Sequence, residues 1–209
     1  MKKLLLTAMF LGLLIAVPAM ADVDVHVNIP LPPPIPFPAP PQVIVIPETN
    51  VYAAPDVDAD LYFWNGKWWR YWQGRWYRSP YYNRGWVYYR GIPPFYFNVD
   101  PHWRRYYREH NWYGHRWEYK PIPYNNVEKN WKKWEENRHW EKKGTTWGVN
   151  NYERRPEHQR NEERQKWEHE YHQRPEVQKH RQWEEQQENQ KEHKGREGAE
   201  EKPKPRRAD

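Results

Sequence analysis

Two tight-turn signals, eight residues apart, constrain the fold of this chain more than any other feature. Asn65-Gly66 and Gln73-Gly74 each place a glycine where a two-residue hairpin turn needs a positive φ. Asn83-Arg84-Gly85 marks a third, looser turn further along the chain. The three turns predict a four-stranded antiparallel meander over residues 59–90.

Aromatic side chains occupy both faces of this predicted meander. Residues 64–86 contain six Trp and four Tyr, interleaved with five Lys or Arg. Side chains alternate along a strand, so we expect two aromatic sets on opposite faces. One set comprises Tyr62, Trp64, Trp69, Tyr71 and Trp76, and the other comprises Phe63, Trp68, Trp72 and Tyr77. A sheet this small cannot bury two such faces, so other segments or a partner must cover at least one.

Two downstream segments are predicted to form covering helices. Asp100-Pro101 is typical of a helix start, and Trp103, Tyr106, Tyr107 and His110 then follow at helical spacing, which predicts a helix over 101–110. Asn126 is expected to cap a second helix over 127–142, with Val127, Trp131, Trp134 and Arg138 on one face. The predicted fold class is α+β: a small aromatic-rich antiparallel meander with one or two covering helices, spanning residues 42–142.

The flanking segments have different compositions. Residues 1–21 combine Lys2 and Lys3 with an apolar run and Ala-Met-Ala, which predicts a secretory signal peptide and leaves no integral membrane span after cleavage. Residues 22–41 alternate valine with polar residues and then become proline-rich, which predicts a strand-like segment and a stiff polyproline II spacer. Residues 143–209 are charged and low in aliphatic residues, which predicts a disordered or transiently helical tail. The signal peptide predicts export, and we expect the mature chain in the periplasm or at the outer membrane.

Part of the chain carries a family resemblance. The run VIVIPETNVYAAPDVDADLYFWNGKWWRYWQGRWYRSPYYNRGWVYY resembles small exported Trp- and Tyr-rich proteins of Gram-negative bacteria over residues 42 to about 140. Its specific parts are Pro-Asp-Val-Asp and the two aromatic-x-Gly-basic units at 64–70 and 72–78. The resemblance implies export but no activity. A more local likeness to choline-binding cell-wall repeats implies an aromatic wall-ligand surface, although the units here recur at a shorter period and carry more arginine.

The sequence contains no recognisable catalytic motif. It has no cysteine and a single serine, Ser79, which stands beside a proline in a turn. No phosphate-binding glycine loop is present, and no cofactor is expected. His169 and His172 stand three residues apart and are the candidates for metal contact, although the pattern predicts only adventitious zinc, copper or nickel binding.

Binding to an envelope polymer is therefore the favoured function. Residues 61–120 carry eleven Lys or Arg against three acidic residues, so an aromatic and basic surface could hold peptidoglycan, lipopolysaccharide or another anionic glycan. The candidate ligand-binding residues are Trp64, Trp68, Trp69, Arg70, Trp72, Arg75, Trp76, Tyr77, Arg78, Arg84 and Trp86. Three alternatives remain: the rings are simply core, the protein binds metal through its histidines, or it binds nucleic acid or another polyanion. Export disfavours nucleic acid.

Overall fold

The two tight turns form where the sequence predicts them. Asn65 and Gly66 have φ of 48° and 69°, and Gln73 and Gly74 have φ of 49° and 75°. Positive φ at both central residues is the signature of a type I′ hairpin turn. The predicted meander is confirmed, with four consecutive antiparallel strands joined by these turns and by the looser one at 83–85.

The computed structural model describes residues 29–142 and 145–200, and for 194–200 it describes the backbone alone. The predicted signal peptide and the alternating valines at 23–27 lie outside the described residues. The strands are β1 Gln42–Val45, β2 Tyr52–Ala53, β3 Asp60–Trp64, β4 Lys67–Trp72, β5 Arg75–Ser79, β6 Val87–Tyr89, β7 Asn111–Trp112, β8 His115–Arg116 and β9 Ile122–Pro123. The helices are α1 Trp103–Glu109, α2 Tyr124–Glu136, α3 Glu157–Gln173 and α4 Pro175–Glu200, with short 3-10 helices at Tyr96–Asn98, His139–Glu141 and Thr146–Gly148.

The meander is part of a larger antiparallel sheet. Its seven strands lie in the order β6-β5-β4-β3-β2-β1-β9, and a separate hairpin pairs β7 with β8. β1 and β2 extend the sheet because they are apolar and pair through Ile44 opposite Ala53. β9 closes the far edge through Val43 opposite Ile122.

The strand register confirms the predicted division of aromatic residues between two faces. Tyr62 lies opposite Trp69, and Tyr71 lies opposite Trp76, on what we call the first face. Phe63 lies opposite Trp68 on the second face. The chain covers both faces itself. On the first face Tyr62 packs against Trp103 of α1 with ring centroids 6.3 Å apart, and on the second Trp68 packs against Tyr124 of α2 at 4.9 Å.

Both predicted helices exist, with different bounds: α1 is Trp103–Glu109 in place of 101–110, and α2 is Tyr124–Glu136 in place of 127–142. The prediction that α1 starts at Asp100-Pro101 is wrong, since His102 is the residue that precedes the first turn. The Oδ1 atom of Asp100 accepts a hydrogen bond of 2.7 Å from the backbone N–H of His102 ahead of α1, and Trp103 is buried. The prediction that Asn126 caps the second helix is wrong. α2 begins two residues earlier, at Tyr124, which is buried on the second face, and Asn126 lies inside the helix.

The packed unit extends beyond the predicted boundary at residue 142. α3 and α4 lie within the predicted tail, and five hydrophobic residues of that region are buried in the core: Trp147, Val149, Tyr152, Tyr171 and Val177. Tyr171 contacts Tyr96 with ring centroids 5.4 Å apart, so the end of α3 packs on the first face. Among the described residues, no helix is long and apolar enough to cross a membrane.

The proline-rich segment, predicted to be a stiff polyproline II spacer, contacts the second face of the sheet. The Tyr77 hydroxyl on the second face donates a hydrogen bond of 2.5 Å to the carbonyl of Pro30. The guanidinium of Arg70 donates another, from Nη1, to the carbonyl of Pro33. Phe37 packs edge-on against Tyr82, with ring centroids 5.0 Å apart. The segment therefore forms part of the cover of the second face.

Candidate functional site

Five of the eleven predicted binding residues are buried and cannot contact a ligand while the fold is closed. Trp68 and Tyr77 are 0% exposed, Trp76 is 1% exposed and Trp69 is 4% exposed. Arg70 is 5% exposed, and burial lowers the pKa of its guanidinium although nearby Tyr77 opposes this shift. These five side chains pack against the chain's own covering segments, which agrees with the alternative that the rings are core.

The other meander candidates are scattered. Arg78 and Arg84 are exposed. The guanidinium of Arg78 lies 5.3 Å from the ring centroid of Tyr89, and that of Arg84 lies 4.7 Å from the ring centroid of Tyr81. Arg75 lies over the indole of Trp183 in α4, at 5.1 Å. Trp64, Trp72 and Trp86 are partly buried. Of these three indoles, Trp64 lines a cleft.

The cleft that contains Trp64 has a volume of about 440 Å³. Three parts of the chain surround it: the turn that joins β1 to β2, residues 94–98, which include the first 3-10 helix, and helix α3. Its side-chain lining combines aromatic rings with four arginines and three glutamates: Trp64, Phe95, Phe97, Trp167, Arg154, Arg155, Arg160, Arg164, Glu48, Glu141 and Glu163. This size is within the range of small-ligand sites, roughly 300–1,000 Å³.

One face of α3 supplies a wall of the cleft. Arg160, Glu163, Arg164 and Trp167 stand at i, i+3, i+4 and i+7, which places them in one row along a helix. Tyr171, one further turn along, is buried against the sheet and fixes the helix in place. Tyr171 therefore anchors the cleft wall to the core.

A partly buried ion-pair cluster around the buried Glu48 holds the base of the cleft. The carboxylate of Glu48 accepts hydrogen bonds from the backbone N–H of Arg155 at 2.7 Å, from Nε of Arg155 at 3.0 Å and from the Tyr152 hydroxyl at 3.0 Å. Nη1 of Arg155 also donates to Glu163 at 2.7 Å. Burial disfavours the charge on Arg155, but the bonds to Glu48 outweigh that effect and raise the pKa of the guanidinium. The cluster joins the β1–β2 turn to α3.

Two arginines of the cleft have no carboxylate partner in the described part of the chain. Glu48 and Glu163 are bound by Arg155, and the carboxylate of Glu141 lies 3.6 Å from Nη1 of Arg154. Arg160 uses only its Nε, which donates to the carbonyl of Arg155 at 3.1 Å. Within residues 29–142 and 145–193, no carboxylate lies within ion-pair distance of Arg160 or Arg164. As far as the described residues go, the cleft thus presents two guanidinium ends without a carboxylate partner beside the indoles that line it.

The histidine candidates do not form a metal centre in the described part of the chain. His169 is exposed, and Nδ1 of His172 lies 2.8 Å from the guanidinium of Arg181. No group of three or more His, Cys, Asp or Glu side chains that could hold a metal ion occurs among the described residues.

Sequence reasoning missed the α3 residues of the cleft. The spacing of Arg160, Arg164 and Trp167 was readable as a helical row, but the surrounding sequence is so polar that it favoured a tail without fixed packing. Comparison with known proteins adds no assignment, because no family model, no curated protein and no solved structure matches this chain.

Proposed function

We propose that this chain is a non-enzymatic, exported envelope protein that binds an anionic glycan polymer in the cleft between the sheet and α3. Export rests on the sequence of residues 1–21, which is typical of a signal peptide. The observation that carries the binding proposal is that two indoles, Trp64 and Trp167, line one cavity together with Arg160 and Arg164, whose guanidinium ends have no carboxylate partner among the described residues.

The chemistry of this arrangement suits a phosphorylated or carboxylated sugar. An indole face stacks on the apolar face of a sugar ring, while a guanidinium binds phosphate or carboxylate through two parallel hydrogen bonds. Two free arginines in a cleft provide such contacts without first breaking an existing ion pair. Lipopolysaccharide and peptidoglycan both offer this combination of sugar rings and acidic groups.

The balance of contacts makes a specific prediction for salt dependence. Charge attraction is screened by salt, with a Debye length of about 10 Å at 0.1 M, whereas stacking on an indole is not. We expect affinity for immobilised lipopolysaccharide or sacculi to fall as salt rises and to level off at a residual value. Complete loss in high salt would indicate unspecific polyanion attraction and contradict the proposal.

Substitution of the indoles tests the cleft itself. In the mature chain, Trp64→Ala and Trp167→Ala should each lower the residual affinity in high salt, because each removes a stacking surface. Trp86→Ala is the matched control, since Trp86 is a partly buried tryptophan of the meander that does not line the cleft. Equal losses in all three folded variants would place binding elsewhere on the protein.

A further inference from the structure

The second face of the sheet holds the proline-rich segment in a way that matches polyproline recognition. Residues 29–37 form no helix, strand or turn, and the proline content favours polyproline II. Two side chains of the sheet donate hydrogen bonds to this segment, Tyr77 to the carbonyl of Pro30 and Arg70 to the carbonyl of Pro33. Polyproline II has three residues per turn, so carbonyls three residues apart lie along one edge of the helix.

The apolar contacts of the segment follow the same spacing. Pro32 is buried and Ile35, three residues later, is partly buried against the core, while Leu31 and Pro34 are exposed. Leu31 is 62% exposed. Residues 30–35 therefore contact the sheet along one narrow stripe, and Phe37 then packs against Tyr82 outside the three-residue spacing.

The attachment lacks the bonds that would make the segment a strand of the sheet. No backbone-to-backbone hydrogen bond joins residues 29–40 to the rest of the described chain, and pairing starts only with the carbonyl of Pro41. Beneath the segment, Arg70 is 95% buried, and its Nε atom has no hydrogen-bond partner among the described residues. The bound segment thus leaves one buried donor of its own receptor surface unsatisfied.

We propose that the second face around Arg70 and Tyr77 is a binding site for proline-rich polypeptide segments, which residues 30–37 occupy as an intramolecular ligand. A partner must supply a polyproline II helix with two carbonyls three residues apart, in the positions of Pro30 and Pro33. It must also supply two apolar side chains three residues apart, in the positions of Pro32 and Ile35. This is the mode in which aromatic-lined grooves bind proline-rich peptides. The site lies on another surface than the glycan cleft, so the two proposals stand or fall separately.

The tether keeps the site closed in the mature chain. The segment is joined to β1 by residues 38–41, and a tether this short gives an effective concentration on the order of mM. An added peptide must compete with that concentration. We therefore expect a variant with a weakened segment to bind added peptide at least about tenfold more tightly than the unmodified chain.

The test uses Ile35→Asp, which places a charge on the buried stripe, with Leu31→Asp as the matched control on the exposed side. The probe is a blocked synthetic peptide with the sequence of residues 29–41, and a version with every proline replaced by alanine is the negative control. Isothermal titration of the folded mature chains should show tight binding to Ile35→Asp only, and adding Tyr77→Phe to that variant should weaken it by removing the hydroxyl donor. If Ile35→Asp does not fold, Ile35→Ala takes its place.

Several results would overturn the proposal. One is a folded Ile35 variant that binds no peptide, and another is equal binding of the alanine-substituted peptide. Failure of both Ile35 variants to fold would show that the segment is a fixed part of the core and not a ligand.

Discussion

The packing of α4 against the meander can be tested by a substitution that adds one methyl group, Gly74→Ala. Gly74 has a φ of +75° in the turn between β4 and β5, and an added Cβ would lie 2.7 Å from the carbonyl carbon of Glu176 at the start of α4. Contacts below 3.0 Å force the backbone to move. Gly74→Ala therefore has to strain the turn and displace the helix start.

The matched control is Gly114→Ala. Gly114 occupies the equivalent position of the β7–β8 turn with a φ of +88°, and nothing lies within 4 Å of its added Cβ. This variant should lose only the conformational advantage of glycine at positive φ, about 1 kcal/mol.

Gly74→Ala should lose about 2–4 kcal/mol. The excess arises because Val177, which is 7% exposed, loses part of its packing when α4 moves, and full burial of a valine contributes about 1.5–3 kcal/mol. The stability of both variants is measured by urea denaturation, with tryptophan fluorescence as the probe of unfolding. With a slope of about 2 kcal/mol/M, the midpoint of Gly74→Ala should fall about 1 M below that of Gly114→Ala. Equal midpoints would refute the packing of α4 on this turn.

Three further predictions follow from the buried groups. Glu48→Ala should lower the free energy of unfolding by about 2–3 kcal/mol in urea denaturation, because the partly buried Arg155 loses its charged bonds to Glu48 and keeps only Glu163 as a partner; a loss below 1 kcal/mol would contradict the cluster. Tyr171→Ala should cost about 3–5 kcal/mol in the same assay through the cavity that it leaves, whereas His169→Ala, on an exposed position of the same helix, should be nearly neutral. Burial, reinforced by Glu128, raises the pKa of Tyr124 to about 12. Its contribution to stability is therefore complete below pH 10 and is lost as the pH rises towards 12, so an unchanged urea midpoint at pH 11.5 would contradict it.

The parts of the fold that are set by residues close together in the sequence could be predicted. Asn65-Gly66 and Gln73-Gly74 determine their turns by local geometry, and the turns in turn set which aromatic residues share a face. The predicted need for covering segments followed from the same pattern. The position of α1 was predictable to within two residues because its aromatic residues recur at helical spacing, although the helix starts at Trp103 and not at Asp100-Pro101.

The long-range contacts could not be predicted in the same way. Tyr171 and Val177 are two buried side chains in a very polar region, and no periodic apolar stripe surrounds them. The cluster of Glu48 and Arg155 joins residues more than 100 positions apart, which no local pattern indicates. The proline content of the N-terminal segment excluded strand pairing, but it did not indicate that Arg70 would bind the free carbonyl of Pro33.

The position of the binding surface is the central functional claim, and paired arginine substitutions test it most directly. Arg160→Gln with Arg164→Gln removes the two cleft charges that have no carboxylate partner among the described residues. Arg78→Gln with Arg84→Gln removes two exposed charges of the meander, which stack on Tyr89 and Tyr81. Both double variants lose the same charge, so general electrostatic attraction falls equally. In equilibrium binding to lipopolysaccharide at 0.1–0.2 M salt, the cleft variant should lose at least tenfold more affinity than the meander variant. Equal losses, or a larger loss for the meander variant, would contradict the assignment of binding to the cleft.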